Sequence, residues 1–357
     1  MSKKILTINP GSTSTKIAVF EGSKELFLKN IKHSSEEIEK FEDISDQYEF
    51  RKDIILKELA DANIDLSDLK AIVGRGGLIK PVPSGVYTVN EALKEDLRKG
   101  VLGKHASNLG GLIADDIANT IEGARAFIAD PVVVDEFDPV ARVSGHPDFE
   151  RTSIFHALNQ KAVARKYADN VKKPYEDLNL IVVHLGGGIS VGAHQKGRVI
   201  DVNQALDGDG PFSPERSGTL PIGKVIKACF SGKYTEEEMK KVVVGKGGFT
   251  AYLGTNNAKD VFDRANADDE KAKLVSNAMV YQVSKEIGAM FTVLKGEVDA
   301  IILTGGIAYN SKFTELVEER VKKLGEVVVY PGEDEMEALA MNGNFILDGK
   351  IEPSVYK

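Results

Sequence analysis

The sequence predicts a mixed α/β protein built from two domains. Its 357 residues exceed what one compact core usually needs, and short strand patterns alternate with helical patterns along the whole length. A glycine-rich hairpin pattern also occurs once in each half, at residues 5–20 and again at residues 180–193. Each copy is an apolar run, a turn of Gly or Ser and a second β-prone run, which is typical of a hairpin and not of a strand that leads into a helix. The repetition indicates a duplicated core.

The remaining elements follow from the spacing of apolar residues. Short β-prone runs predict strands at 71–73, 126–129, 180–183, 199–202, 300–304 and 327–330. Apolar residues at helical spacing predict helices at 48–62, 108–121, 151–170, 271–294 and 335–347. We place the domain boundary near residue 150, so that residues 1–150 form the first domain and residues 151–334 form the second. The last segment, residues 335–357, is expected to pack back onto the first domain.

Composition and charge exclude several classes of protein. With 42% apolar and 28% charged residues the chain resembles an ordinary globular protein, and a net charge of −8 argues against a nucleic-acid-binding surface. The single cysteine, Cys229, excludes an internal disulfide and a multi-cysteine metal site and fits a reducing cytoplasm. The apolar start is too short for a signal peptide, and no run reaches the roughly 20 apolar residues of a membrane span. We therefore expect a cytoplasmic protein with no nucleic-acid or membrane partner.

Two glycine-rich turns are candidates for binding phosphate. Residues 9–16 read Asn-Pro-Gly-Ser-Thr-Ser-Thr-Lys, and backbone N–H groups and hydroxyls in such a turn bind phosphate oxygens. The segment also fits a plain hairpin turn capped by Asn9, and it lacks the spacing of a Walker loop. Residues 184–190 read His-Leu-Gly-Gly-Gly-Ile-Ser, where three glycines let the backbone approach a ligand, although a bulge or a hinge fits the same string. Because a hairpin follows and the pattern is not Gly-x-Gly-x-x-Gly, a Rossmann dinucleotide site is disfavoured.

A third glycine-rich segment completes a recognisable set. Residues 301–310 form a buried strand pattern that ends in Gly305 and Gly306 before a helix. This fits an ordinary connection between a strand and a helix, and it also fits a flat backbone surface against a nucleoside. The order and spacing of the three segments resemble the two phosphate motifs and the adenosine motif of the actin-like ATPase superfamily. That superfamily includes sugar kinases, the ATPase domains of heat-shock chaperones and acetate kinases.

Further strings narrow the resemblance to the acetate kinase family and extend it over essentially the whole chain. Besides the opening motif at 9–16, similar strings are Gly-Arg-Gly-Gly at 74–77, Lys-His-Ala-Ser-Asn-Leu at 104–109, Phe-His at 155–156, Glu-Arg-Ser-Gly-Thr at 215–219 and Gly-Glu-Asp-Glu-Met at 332–336. Within the family, Gly-Arg-Gly-Gly-Leu at 74–78 and Ala-Asp-Pro-Val-Val-Val-Asp-Glu at 129–136 are most similar to the butyrate kinases.

The resemblance implies a fold and an activity. The fold would be two ribonuclease-H-like domains of the actin-like ATPase type, as in acetate and sugar kinases, with a nucleotide cleft between the domains. The activity would be reversible transfer of a phosphoryl group from Mg²⁺-ATP to the carboxylate of butyrate or a related short-chain fatty acid, giving an acyl phosphate and ADP. A homodimer or higher homo-oligomer is also implied.

Several alternatives to this activity stay open. Acetate, propionate and branched-chain fatty acids are alternative substrates within the family. A sugar kinase would need a general-base aspartate, since a hydroxyl is not ionised at neutral pH. A chaperone-like or filament-forming ATP switch would need the phosphate turns but would transfer no phosphoryl group.

Phosphorylation of a carboxylate needs cations more than it needs a base. An acid with a pKa of about 4–5 is ionised at neutral pH, so the difficulty is to bring one anion against another. A guanidinium group binds carboxylate or phosphoryl oxygens through two parallel bonds, which favours Arg75 and Arg216, although each also fits an ordinary ion pair. His156, at a helix start, fits a donor to the transferring phosphoryl group or a buried core histidine. The part played by His105 is left open.

The resemblance also implies roles for individual residues. As a magnesium ligand, Asp130 is preferred over Asp135, and Glu335 is preferred over Glu333, Asp334 and Glu337. The catalytic residues are expected to be Arg75, Asp130, His156 and Arg216. The ATP-binding residues are expected to be Asn9, Ser12, Ser14, Lys16, His184, Gly186, Gly187, Gly188, Gly305, Gly306, Ile307 and Asn310. The magnesium ligands are expected to be Asn9, Asp130 and Glu335.

One departure from the acetate kinases concerns the size of the substrate. Where the acetate kinases carry His-Arg-Val-Val-His-Gly-Gly, this chain has Gly-Arg-Gly-Gly around Arg75. We expect the loss of bulk beside the arginine to leave room for a longer acyl tail, which favours butyrate over acetate.

Overall fold

The computed structural model describes residues 3–357, apart from the side chain of Ser35. The chain divides into two compact units, one made of residues up to Val134 together with Asp334–Lys357, and the other made of Asp135–Glu333. The first unit therefore ends before the boundary expected near residue 150. The segment that follows Val134 belongs to the second unit because its backbone bonds there, as where Asp138 N donates to Ile200 O over 3.0 Å.

A β-sheet forms the centre of each unit. The strands are, in chain order, β1 (Lys4–Pro10), β2 (Ser14–Glu21), β3 (Lys24–Lys32), β4 (Leu69–Arg75), β5 (Val86–Thr88), β6 (Arg125–Ala129), β7 (Asn179–Leu185), β8 (Ile189–Gln195), β9 (Arg198–Val202), β10 (Ala300–Gly305), β11 (Val327–Pro331) and β12 (Ser354–Val355). The first sheet has the order β12-β5-β6-β4-β1-β2-β3, and the second has the order β11-β10-β7-β8-β9.

The two sheets share one core topology, which confirms the duplication expected from the hairpin pair. In the first sheet β1, β2 and β3 are joined antiparallel, and β4 and β6 continue the sheet in parallel beside β1. In the second sheet β7, β8 and β9 are joined antiparallel, and β10 and β11 continue it in parallel beside β7. Because parallel neighbours need a long crossover, a helix connects the strands on this side of each sheet.

Helices cover both sheets. They are α1 (Ser35–Ile38), α2 (Tyr48–Asp61), α3 (Glu91–Lys99), α4 (Asn108–Asn119), α5 (Pro139–Arg142), α6 (Ala157–Val171), α7 (Ile222–Cys229), α8 (Glu236–Val243), α9 (Gly248–Leu253), α10 (Ala258–Asn266), α11 (Glu270–Val293), α12 (Ser311–Val321) and α13 (Glu335–Leu347). Within residues 3–357, none of these helices combines the length and the apolar character that crossing a membrane requires.

The first unit buries its sheet between two layers of helices. β1 is buried along almost its whole length, as expected for a strand covered on both faces. Leu6 and Ile8 belong to the apolar cluster that α2, α3 and α4 close on one face. On the other face α13 lies so near that a side chain at Gly343 would press on Ile5 and Val73. The helix near the end of the chain thus completes the core of the first unit.

The second unit repeats this layered arrangement. Leu180 and Val182 of β7 pack with residues of α6 on one face. Ile181 and Val183 pack with residues of α11 and α12 on the other face. The alternation of the side chains along β7 therefore divides the core into two layers, as the geometry of a strand requires.

The structure confirms most of the predicted elements. Both hairpins form, and each strand predicted outside the first hairpin lies within an observed strand. The helix predicted from residue 151 was wrong at its start, because α6 begins at Ala157. The preceding residues are bonded elsewhere, for example Arg151 N to Arg142 O and Ala205 N to Ile154 O. The helices α7 to α10 were not predicted, because each is too short for apolar residues to recur at helical spacing.

Candidate active site

Three predicted site residues lie at one edge of the first sheet. Asn9 is near the end of β1, Arg75 ends β4, and Asp130 directly follows β6. These strands are parallel neighbours, so their carboxyl ends meet at the same edge. In open α/β sheets this edge is where ligands bind.

Glu335, at the start of α13, joins Asn9 and Arg75 in a hydrogen-bonded cluster. Arg75 Nη1 and Nη2 each lie 3.2 Å from a different carboxylate oxygen of Glu335, and Nη1 also donates to Asn9 Oδ1 over 3.3 Å. Asn9 Nδ2 donates to Glu335 Oε2. Among the acidic residues at 333–337, the one that meets Asn9 and Arg75 is therefore Glu335.

Asp130 is held in a strained and buried position. Its φ of 36° lies in the left-handed region, which non-glycine residues rarely adopt. Its Oδ1 accepts hydrogen bonds from Ser84 Oγ over 2.6 Å and from Gly85 N over 2.9 Å. The competing residue, Asp135, instead pairs with Arg142 Nη2 at 2.7 Å and belongs to the second unit.

The glycines beside Arg75 serve close packing and do not open a space for an acyl tail. A side chain at Gly74 would overlap the backbone of Gly110 in α4, and one at Gly77 would overlap Asn108. A Cβ atom at Gly76 would lie 2.5 Å from Pro131 Cβ. The expectation that these glycines leave room for a longer acyl chain was therefore wrong, because atoms of Gly110, Asn108 and Pro131 already occupy the volume beside them.

The first of the two candidate phosphate turns closes the β1–β2 hairpin. Gly11 N donates to Ser14 O over 2.7 Å, which closes the turn, and the side chains of Ser12 and Thr13 are exposed. Lys16 lies directly opposite Asn9 in the antiparallel register. Residues directly opposite one another in such a pair share one face of the sheet.

In the second unit the other two glycine segments meet. β7 and β10 are parallel neighbours with Thr304 opposite His184, so the turn at 186–188 and the pair Gly305–Gly306 follow the same sheet edge. Gly305 has a φ of 91°, and a side chain there would overlap Leu185. These two of the three predicted nucleotide segments are thus brought together within one unit.

Two histidines are stacked beside the triple glycine. The rings of His156, which caps α6, and His184, in β7, have centroids 3.7 Å apart and are inclined by 8°. Because Asn159 Oδ1 only accepts, His184 Nδ1 donates to it over 2.7 Å. The other ring nitrogen, Nε2, lies 3.2 Å from Glu333 Oε1.

A buried chain of hydrogen bonds orients His156. Gln160 Nε2 donates to Ser190 O over 3.1 Å and to Ser190 Oγ over 2.8 Å, while Gln160 Oε1 accepts from His194 Nε2 over 2.9 Å. His194 Nδ1 in turn accepts from Tyr175 over 2.7 Å, and burial keeps the pKa of His194 well below its usual value.

The direction of this chain decides which nitrogen of His156 carries the ring proton. Ser190 is completely buried, and its hydroxyl has His156 Nδ1 as an acceptor at 2.9 Å. If Nδ1 accepts from Ser190, the proton of the neutral ring is on Nε2. In that tautomer His156 is a donor through Nε2.

Ser190→Ala is expected to lower kcat about tenfold, because the variant loses the group that orients His156 and selects its ring tautomer. The KM for ATP should change little. Steady-state kinetics would measure both constants. Ser284→Ala is the matched control, since Ser284 Oγ donates within α11, to Val280 O over 2.8 Å, and its removal should leave kcat unchanged. An unaltered kcat in Ser190→Ala would contradict the orienting role.

Arg216 is packed against the triple glycine with one nitrogen unpaired. Its Nη1 donates to Ala205 O over 2.7 Å, while its Nε is buried without a hydrogen-bond partner among the described residues. A side chain at Gly188 would overlap Nη1. Burial lowers the pKa of Arg216, and Glu215 partly opposes that shift. A buried guanidinium group with an unsatisfied N–H is suited to receive an anion.

Sequence reasoning missed the residues that hold this arrangement together. Ser213 Oγ donates to Gly187 O over 2.5 Å and accepts from Arg216 N over 3.2 Å, which links the glycine turn to the arginine loop. Gln160 and Ser190 were likewise given no role. For Ser213 the sequence held an indirect indication, which is its place after Phe212 in a loop rich in Gly and Pro.

A cavity of about 230 Å³ lies beside the third glycine segment. Asn310, which accepts from Phe313 N over 3.0 Å and so caps α12, lines it together with Phe262, Lys273, Asn277 and Phe313. Gly306 is exposed, whereas the side chain of Ile307 is buried in the core of the unit. The size and the mixed apolar and amide lining suit a nucleobase.

No cluster of three or more His, Cys, Asp or Glu side chains suited to a metal occurs in residues 3–357. The predicted metal ligands are oxygen donors, namely Asn9, Asp130 and Glu335. Mg²⁺ is typically held by one or two carboxylates together with water and substrate phosphates, so this donor set is compatible with that ion.

Comparison with known proteins gives consistent results. A family model described as the acetokinase family matches residues 150–344. Butyrate kinase 2 of Clostridium acetobutylicum is 57% identical over 357 residues, with 100% of both chains covered. Butyrate kinase 1 of the same organism is 58% identical over 354 residues, with 99% of both chains covered.

Solved structures share the fold. The acetate kinase of Porphyromonas gingivalis has a TM-score of 0.79 at 18% identity, covering 97% of this chain and 100% of that one. The propionate kinase of Francisella tularensis has a TM-score of 0.75 at 19% identity, covering 95% and 98%. The fold is thus the acetate and sugar kinase form of the actin-like ATPase fold. Because relatives above half identity span the full length and the family model matches more than half of the residues, the chain belongs to the acetokinase family.

Proposed function

We propose that the protein is a butyrate kinase, which reversibly transfers a phosphoryl group from ATP to the carboxylate of butyrate or a related short-chain fatty acid. The products are an acyl phosphate and ADP. The similarity to butyrate kinases over the full length supports this, and the observation that carries it is the buried Arg216 with an unpaired Nε beside the triple glycine. Two anions must approach one another in this reaction, and such a group offers the positive charge that they need.

In the first unit the turn residues and the end of β1 would bind phosphate oxygens, through Asn9, Ser12, Ser14 and Lys16. In the second unit the triple glycine and His184 would bind phosphate, and the cavity beside Asn310 would take the base. Arg75 and Arg216 would bind the transferring group or the substrate carboxylate, and His156 would donate to a phosphoryl oxygen through Nε2.

The metal in this proposal is Mg²⁺, which Asn9, Asp130 and Glu335 would hold. Bound there, Mg²⁺ would neutralise negative charge on the phosphate oxygens. Glu335 and Asn9 also contact Arg75, so the same carboxylate would orient the guanidinium group and serve the metal.

A hydroxamate assay separates the proposal from its alternatives. Purified protein is incubated with ATP, Mg²⁺, hydroxylamine and one of several acids, and any acyl phosphate formed is detected as its hydroxamate. A carboxylate kinase gives an acid-dependent signal, whereas a sugar kinase or an ATP switch gives none. No signal with any short-chain acid, while ATP is bound, would refute the proposed reaction.

For a series of acids from two to five carbons, kcat/KM is expected to be higher for butyrate than for acetate. Each methylene that a pocket accepts changes transition-state binding by about 1–3 kcal/mol, so the ratio should reach at least tenfold. The substrate series also compares propionate and branched acids, which are the alternatives within the family. A clear preference for acetate would contradict butyrate as the substrate.

The location and the assembly stay predictions. The lone cysteine, Cys229, is exposed and fits a reducing cytoplasm. A homodimer or higher homo-oligomer is expected from the family resemblance. Size-exclusion chromatography with light scattering would measure the assembly.

A further inference from the structure

A completely buried arginine lies behind the first phosphate turn. Arg51, in α2, has no exposed surface, yet its guanidinium group bonds only to uncharged oxygens. Its Nη1 donates to Gly11 O over 2.8 Å, to Ser14 O over 3.1 Å and to Thr15 Oγ1 over 3.0 Å, and its Nη2 donates to Ser12 O over 3.1 Å.

The residue that precedes its helix, Gln47, binds the Nε side of the guanidinium group. Gln47 Oε1 accepts from Arg51 Nε over 3.1 Å and from Nη2 over 2.8 Å. No carboxylate pairs with Arg51 anywhere in the described part of the chain. Burial lowers the pKa of Arg51 to about 10, which leaves the group charged at neutral pH. An unpaired buried charge is costly, so its presence here calls for a compensating interaction.

The bonds to Arg51 determine where the turn directs its donors. In a trans peptide the C=O and the following N–H point in opposite directions. Because the carbonyl oxygens of Gly11 and Ser12 are turned inward to Arg51, the N–H groups of Ser12 and Thr13 are turned outward. The side chains of Ser12 and Thr13 are exposed on that outer side. Successive outward N–H groups of this kind form an anion-binding concavity.

A histidine supports the same turn without adding charge. His33 N donates to Thr13 O over 2.9 Å, and His33 Nε2 lies 2.8 Å from Thr15 Oγ1. Burial, together with the neighbouring Arg51, lowers the pKa of His33, so its ring is uncharged at neutral pH. The positive charge behind the turn is therefore that of Arg51.

We propose that Arg51 is a positioning residue for the phosphates of ATP, which fixes the outward direction of the turn's N–H groups and adds an unpaired positive charge behind them. The inference rests on the proposed function, because it takes this turn as a phosphate site. The anion that binds on the outer side completes the electrostatic balance of the buried guanidinium group. Arg51 does not touch the substrate in this arrangement and acts only through the turn.

The test compares nucleotides that differ only in their number of phosphates. Calorimetry measures the Kd of wild type, Arg51→Met and Arg51→Lys for ATP, ADP and AMP. We expect Arg51→Met to raise the Kd for ATP roughly 10- to 100-fold, the Kd for ADP by a smaller factor and the Kd for AMP by under twofold. The reason is that the lost charge and hydrogen bonds stabilise the binding of phosphate oxygens, of which AMP has the fewest. Arg51→Lys keeps the positive charge but lacks the planar guanidinium group, so it should recover part of the ATP affinity. The KM for butyrate should change by less than threefold.

Two further variants separate positioning from general stability. Gln47→Leu removes the two hydrogen bonds from Arg51 Nε and Nη2 to Gln47. We expect it to weaken the binding of ATP more than that of AMP, by a smaller factor than Arg51→Met does. This variant keeps the test decisive if Arg51→Met does not fold. Tyr356→Phe is the matched control, because it removes a buried bond to Asp96 Oδ2 of 2.6 Å elsewhere in the first unit. It should lower the melting temperature without changing any nucleotide Kd.

Two results would overturn the inference: folded Arg51 and Gln47 variants that bind ATP as wild type does, or a loss of affinity that is equal for ATP and AMP. Failure of wild type to bind ATP would instead refute the proposed function itself. The two failures are therefore distinguishable.

Discussion

Replacing Arg216 by alanine is expected to lower kcat roughly a thousandfold while the Kd for ATP rises less than about tenfold. Charge that develops on the transferring phosphoryl group and the approaching carboxylate needs a donor that is already in place. Ala205 O holds the guanidinium group of Arg216 and Ser213 Oγ holds its backbone N–H, so the arginine is positioned before any ligand binds. Steady-state kinetics would provide kcat, and calorimetry with ATP would provide the Kd.

The controls for Arg216 test charge and position separately. Arg216→Lys keeps a positive charge but lacks the planar fork, so we expect it to recover only a small part of kcat. Arg264→Ala removes an arginine of the second unit that pairs with Asp269 at 2.7 Å, and it should leave kcat unchanged. Wild-type kcat in Arg216→Ala would remove the role that we propose for this residue.

Gly188→Ala is expected to lower kcat roughly a hundredfold through Arg216. A Cβ atom at this position would overlap Arg216 Nη1 and lie 3.2 Å from His156 Cε1. The arginine side chain is flexible, but moving it breaks its bond to Ala205 O and displaces the charge from the glycine turn. A displacement of about 1 Å in a catalytic group is enough to cost two orders of magnitude. The variant should fold, because the backbone of Gly188 does not lie in the left-handed region.

A glycine outside the candidate site supplies the matched control. A Cβ atom at Gly288, in α11, would meet no atom of the described residues within 4 Å, so Gly288→Ala should keep kcat within about threefold of wild type. In the Arg216→Ala background, Gly188→Ala should add little further loss, since both changes act on one group. Additive losses in the double variant, or equal losses in the two glycine variants, would contradict this explanation.

The elements of the fold were largely predictable because their signals are local. The hairpins at 5–20 and 180–193, the strands around them and the long helix α11 all follow from turn residues and from the period of the apolar residues. The start of α6 was not predictable in this way, since amphipathic spacing continues from residue 151 although the backbone there is bonded to Arg142 and Ala205. Exposed short helices such as α7 carry too few buried positions for a clear pattern.

The candidate site was predictable only in part. Asn9, Arg75 and Glu335 were predicted from motifs, and the structure shows that they form one hydrogen-bonded cluster. Arg51 gave no signal, because an arginine in an amphipathic helix normally lies on the exposed face. Ser190, Gln160 and Ser213 were missed for a related reason: their partners are distant in sequence, and no spacing rule connects them.

The sequence by itself determined the class of the fold, the duplication of its core and the family to which the chain belongs, because hydrophobic period, turn chemistry and motif spacing are properties of neighbouring residues. Only the tertiary structure decided that Glu335 and not Glu333 meets Arg75, that backbone fills the space beside Gly74, and that Arg51 lies beneath the first turn. These are outcomes of close packing. They depend on which surfaces meet after the chain has folded, and packed neighbours need not be near one another in sequence.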